Sequence, residues 1–127
     1  MSDYALTILQ PWAWAIAEGH KTIENRPWRT HHRGTLYVHA GRRLKPAELE
    51  SCRAGLLAAG FDCDPPELST LVTGALVAVV DLVDCGRYLN DPWANPNPLM
   101  WHFKLANARA LPEPVPMRGK LGIWRIK

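Results

Sequence analysis

The chain has 127 residues, a formal net charge of +3 and 47% hydrophobic residues, which suits one domain burying roughly two-thirds of its unfolded surface without staples. Its three cysteines, Cys52, Cys63 and Cys85, are odd in number and lack C-x-x-C spacing, which argues against a disulfide framework or a zinc site and for a reduced, cytoplasmic protein. No stretch approaches the roughly 20 apolar residues of a membrane span, and no signal-peptide pattern opens the sequence.

Residues 5–9 form a short apolar strand. Pro11 suits the first position of a helix, because its φ is fixed and its missing N–H would be unpaired there. The helix covers residues 12–18 and Gly19 ends it. It is hydrophobic nearly all round, so its neighbours must bury it. Residues 22–26 read as a strand, which Pro27 ends by restricting Arg26 to an extended conformation. Residues 28–33 form a polar, basic connection, and Gly34 opens a strand over 35–40. Pro46 begins a second helix with an apolar stripe through Leu49, Cys52, Leu56 and Leu57, stopped by Gly60. Residues 61–70 are a surface loop. Residues 73–85 are a Val-rich strand carrying an unexpected charge at Asp81. Turn signals crowd residues 89–99, so that stretch is a long loop. Residues 100–111 alternate as a strand, 112–119 form a Pro-rich turn, and 121–126 form the closing strand. Five or six short strands and two or more helices, with no repeated βαβ pattern, predict an α+β, mostly β fold. The expected form is a small mixed or antiparallel β-barrel flanked by helices, with any site at a rim or beside a helix.

Charge is unevenly placed. Residues 21–45 hold Lys21, Arg26, Arg29, Arg33, Arg42, Arg43 and Lys45 against Glu24 alone, a local charge of +6, whereas the other 102 residues sum to −3. Such clustering points to an acidic partner such as nucleic acid. The stretch opens with G-H-K-T-I-E-N-R at residues 19–26. This fits G-x-K-x-x-E-x-R and resembles the signature of the ASCH domain (activating signal cointegrator homology), a branch of the PUA-like β-barrels. The flanks resemble the family as well: L-T-I-L-Q-P-W-A-W at 6–14, Trp28, Arg33-Gly34, His39-Ala40, the strand 74–85 ending V-D-L-V-D-C, and V-P-M-R-G-K-L-G-I-W at 115–124. The resemblance spans nearly the whole chain and makes residues 1–127 one ASCH domain. It implies RNA or nucleotide binding in a cleft lined by the signature residues, with some members resembling ribonucleases. A compact branch hydrolyses N4-acylated cytidine with a Lys, a Thr and a Glu. In that branch the Thr lies three residues after the Lys, where this chain has Glu24, and Thr22 stands next to Lys21 instead.

The candidate catalytic residues are Lys21, Glu24 and, more weakly, His39. Lys21 can stabilise developing negative charge, and Glu24 or His39 can move a proton. Set against this is an ion pair of Lys21 with Glu24 or Asp81. Strand spacing of three starts the Lys21 and Glu24 side chains on opposite faces unless a bulge brings them together. The candidate nucleic-acid contacts are Trp12, Arg26, Trp28, Arg29, Arg33, Arg42 and Arg43: arginines fork onto phosphate and tryptophans stack on bases. Trp28, in a polar loop, is the foremost stacking candidate. His31 and His32 lack a third ligand at metal spacing, and no P-loop, G-x-S-x-G or G-x-G-x-x-G is present, so no metal or cofactor is expected. The expectation is a monomeric RNA-binding domain, with ribonuclease activity open and DNA as a possible ligand. The alternatives are a nucleoside amidohydrolase and a non-catalytic interaction domain.

Overall fold

The computed structural model describes residues 3–126. The chain runs β1 (Asp3–Gln10), α1 (Trp12–Ala17), β2 (Ile23–Arg26), β3 (Gly34–Leu44), α2 (Pro46–Ala58), β4 (Ala75–Gly86), β5 (Trp101–Pro116) and β6 (Ile123–Ile126), with a single 3-10 turn at Leu68–Thr70. One six-stranded sheet has the order β2-β5-β4-β3-β1-β6. Among the described residues only the β1–β3 pair is parallel, as befits a crossover through α1 and β2. The mostly β, two-helix architecture is the expected one. The sheet, however, does not close among the described residues: β2 and β6 are its two edges and do not pair there. Strand β2 comes near β1 all the same, for Arg26 on β2 donates through Nη2 to the Thr7 carbonyl on β1 at 2.8 Å. A side chain laces a seam that backbone hydrogen bonds leave open.

Alternation places the core. Leu6 and Ile8, Leu36 and Val38, Val80 and Leu82, and Phe103 and Leu105 share one cluster, each pair two residues apart on its strand and hence on one face. Ala13 and Ile16 of α1 join that cluster. Helix α1 therefore lies on the sheet, and its all-round hydrophobicity is accounted for. Its other side, through Ala15, meets Cys52 and Leu56 of α2, Ile23 and Trp93 in a second cluster.

Both ends of α1 are fixed locally. Pro11 is the residue before the helix rather than its first residue; its carbonyl accepts from Ala15 N, and the Gln10 side-chain oxygen takes Trp14 N at 2.8 Å. Gly19 ends the helix at φ 80°, a conformation that a Cβ disfavours. The next two amides, His20 and Lys21, both donate to the Ala15 carbonyl at 3.0 Å. The helix end thus sets the position of Lys21.

Strand β5 runs through the prolines at 112 and 114, where a turn was expected. Beyond Lys104 it pairs with β4 alone, and proline is tolerated on an edge that needs no N–H. Its register against β4 slips between the Ala78–Ala110 and Leu76–Val115 pairs.

Candidate functional site

The open seam is a cleft of about 730 Å³, within the usual range for small-ligand sites. Thr7, Ile8 and Leu9 of β1 form one side. Trp12, Lys21 and residues 24–26 form the other, with α2 and the loop before β5 closing the ends. Residues 7–9 are available because β6 pairs only with Asp3–Leu6 of β1.

Three signature residues make the floor. Lys21 precedes β2 rather than lying in it, so strict strand alternation does not apply, and its ammonium reaches Glu24 Oε1 at 3.0 Å. It also donates to the Ile23 carbonyl. Arg26 Nε takes the second Glu24 oxygen at 2.9 Å. Lys21 is 5% exposed and Glu24 7%. Burial on its own pushes the Glu24 carboxyl up, but the charges of Lys21 and Arg26 and their hydrogen bonds outweigh it, and the group is held below its ordinary range. A carboxylate so held, with both oxygens engaged, is an anchor and a weak proton acceptor. Lys21 has three N–H donors and spends two on these partners, which leaves one for a ligand.

The walls are aromatic and amide. Trp12 stands 5.7 Å from the Lys21 ammonium at its ring centroid and donates to Glu48 Oε2 on α2 at 3.0 Å. Trp93 meets Trp12 edge-on at 6.4 Å. Asn25 ties the loop before β5 to β2: its Nδ2 donates to the Trp93 carbonyl at 3.0 Å and its Oδ1 accepts from Asn95 N at 2.9 Å. The charges lining the cleft are Lys21, Arg26, Glu24 and Glu48, which cancel. No fully buried side-chain N or O among the described residues lacks a hydrogen-bond partner, so the site is preorganised.

The other sequence candidates are dispersed. Trp28 turns its ring edge-on to core Phe103 at 5.2 Å and does not line the cleft. Arg29 lies over Trp101 at 5.4 Å. Arg33 hydrogen-bonds the Thr30 and His32 carbonyls and approaches Asp84 at 3.7 Å. Arg42 and Arg43 sit near the far end of β3, roughly 30 Å from Arg33 at strand rise. The basic run of the sequence is therefore not one basic lip. His39 is 2% exposed and lies apart from Lys21 and Glu24. Its Nε2 contacts the Met117 carbonyl at 2.7 Å, which can only accept, so its Nδ1 accepts from the Thr7 hydroxyl at 3.1 Å. Both ring nitrogens are occupied. Thr22 is exposed and outside the cleft. Asp81 faces Asn107 and Arg109, so Glu24 is the partner of Lys21. Glu48, Trp93 and Asn95 were not singled out in the sequence. A usable signal for Trp93 was Gly55 inside a helix, where glycine is costly: a Cβ there would lie 2.5 Å from the Trp93 ring.

A mixed β-sheet with a helix across it and a signature-lined seam defines a PUA-like domain. Residues 6–111 match the ASCH domain family, and the chain belongs to that family. It is 29% identical over 130 residues to "Activating signal cointegrator 1" of Mus musculus and 28% identical over 132 residues to that of Homo sapiens, covering 97% of this chain in both cases. The chain spans only about 22% of the length of those relatives. The crystal structure of ASCH from Zymomonas mobilis superposes with a TM-score of 0.62 over 98% of this chain and 87% of that one, at 10% identity. A point variant of that protein gives 0.55 over 91% and 76%, at 12% identity. At such identity the likeness is one of fold. Among the described residues no helix is long and apolar enough to cross a membrane.

Proposed function

We propose that this ASCH domain binds single-stranded or looped RNA by accepting an unpaired nucleobase in the cleft. The observation that carries the reading is a charge-balanced, tryptophan-walled cleft of about 730 Å³ with a fixed donor and acceptor floor. A nucleobase is planar, uncharged and edged with donors and acceptors, and stacking on an aromatic ring is how unpaired bases are commonly held. Phosphate suits the cleft less well, because Glu24 and Glu48 already balance its cations. The role is recognition rather than turnover. Glu24 is committed through both oxygens, and the hydroxyl next to Lys21 lies outside the cleft.

Fluorescence anisotropy with a short labelled single-stranded RNA tests this. Wild type binds, duplex RNA competes poorly, and Trp12→Ala weakens binding about 5- to 150-fold, the span of one stacked base. Absence of binding to any RNA, or a Trp12→Ala protein that binds as wild type does, would overturn the reading. The recovered RNA is run on a gel, and Lys21-dependent cleavage would replace recognition with catalysis.

A further inference from the structure

A second cavity, of about 380 Å³, lies on the far side of Thr7, where residues 117–121 cross β1 and β3. Arg42, Arg118 and Lys120 line it and no carboxylate does. None of the three takes part in an ion pair among the described residues, and all are exposed. The notch is thus strongly cationic, in contrast with the balanced cleft beside it.

Its cations are seated by close backbone approaches. Gly119 presses on the sheet so tightly that a Cβ would fall 2.6 Å from the Thr7 hydroxyl and 2.8 Å from His39 Cε1. The same segment is pinned at Met117, whose carbonyl meets His39 Nε2 at 2.7 Å and whose amide donates to the Gly74 carbonyl at 3.1 Å. Between and beyond these anchors, Arg118 and Lys120 project to solvent. Arg42 lies over Gly74, where a Cβ would meet its Nε at 3.0 Å. Thr7 borders both cavities: its carbonyl is held by Arg26 on the cleft side and its hydroxyl bonds His39 on the notch side.

We propose that the notch formed by Arg42, Arg118 and Lys120 is a phosphate site for the backbone of the strand whose base fills the cleft. The ligand of this domain is then an oligonucleotide and not a free nucleoside. This rests on the base-binding reading of the cleft. Guanidinium groups fork onto phosphate oxygens and an ammonium adds a point charge. Base and phosphate recognition are divided between two cavities one residue apart.

The test compares wild type, Arg118→Gln/Lys120→Gln and Arg109→Gln. Arg109 is exposed on β5 and lines neither cavity. The slope of log affinity against log salt for single-stranded RNA should shrink in the double variant by about 0.7 for each phosphate that is no longer neutralised. It should be unchanged in Arg109→Gln, and the wild type should bind the oligonucleotide at least tenfold more tightly than the matching nucleoside. An unchanged slope in the double variant, or an equal loss in Arg109→Gln, overturns the proposal while leaving the cleft reading intact. A second probe is independent of the cleft. Millimolar inorganic phosphate should shift the amide resonances of Arg118 to Lys120 in wild type and in Trp12→Ala alike, and no shift there overturns the phosphate site.

Discussion

Replacing Glu24 with Gln tests the floor of the cleft. The substitution keeps shape and removes charge, leaving Lys21 buried at 5% exposure with the Ile23 carbonyl as its remaining strong acceptor. Removing one partner of a buried ion pair costs about 3–5 kcal/mol, because the remaining charge stays buried without compensation. Arg26, whose side chain is 23% exposed, can turn toward water, so the lower end applies: about 3 kcal/mol, or about 10 °C in Tm for a domain of this size. Urea denaturation of wild type, Glu24→Gln and Lys21→Met/Glu24→Gln gives the comparison. The double variant should recover about half the loss, since it removes the stranded ammonium. The pH dependence adds a second readout. The folded carboxyl titrates below its ordinary value of 4.5, so the unfolded chain takes up the proton first as pH falls. The stabilisation is complete above the ordinary value and is lost as pH drops through the depressed folded one. Glu24→Gln should lack that acid-side loss. A Glu24→Gln protein with wild-type stability and wild-type acid sensitivity would refute the account of the triad.

Three further outcomes are expected. Gly55→Ala should destabilise by about 1–3 kcal/mol through overpacking, despite alanine's better helix propensity, because the new methyl strikes the Trp93 ring; urea midpoints and tryptophan emission report it. Thr7→Val should cost about 1–3 kcal/mol, since the Thr7 hydroxyl bonds both His39 Nδ1 and Trp124 Nε1, and thermal melts check it. Burial pushes the Cys52 thiol up to about 11, whereas Cys63 is exposed. Alkylation near pH 8, followed by peptide mapping, should therefore label Cys63 in the folded protein and Cys52 only after unfolding.

Local signals in the sequence went far with the elements and less far with the site. Gly19 as a helix stop, the alternation from Leu36 to Val38 and the Val-rich run of β4 are decided by neighbouring residues, and these elements formed as expected. Lys21 and Glu24 met because the turn after Gly19, rather than strand alternation, orients Lys21. The basic run is continuous in sequence but is not gathered into one patch. Residues at the two ends of an 11-residue strand lie far apart, and closeness in sequence then says little about shared charge. Trp28 has polar neighbours in sequence, but from the connection between β2 and β3 its ring packs against Phe103 and the core. Glu48 and Trp93 belong to the site through tertiary contacts, with Trp12 for both and with Asn25 for Trp93, which no single stretch records.

The seam has a consequence for ligand size. Strand β1 is eight residues long and β6 is four. The four unmatched residues of β1 leave an opening about 13 Å long at strand rise. The reach of the site is therefore a difference between two strand lengths, not a property of any one side chain. Extending β6 by two paired residues would shorten the mouth by about half and strengthen the sheet in the same step. Stability and capacity are opposed here at the level of residue count, and a longer ligand can be admitted or refused by length alone.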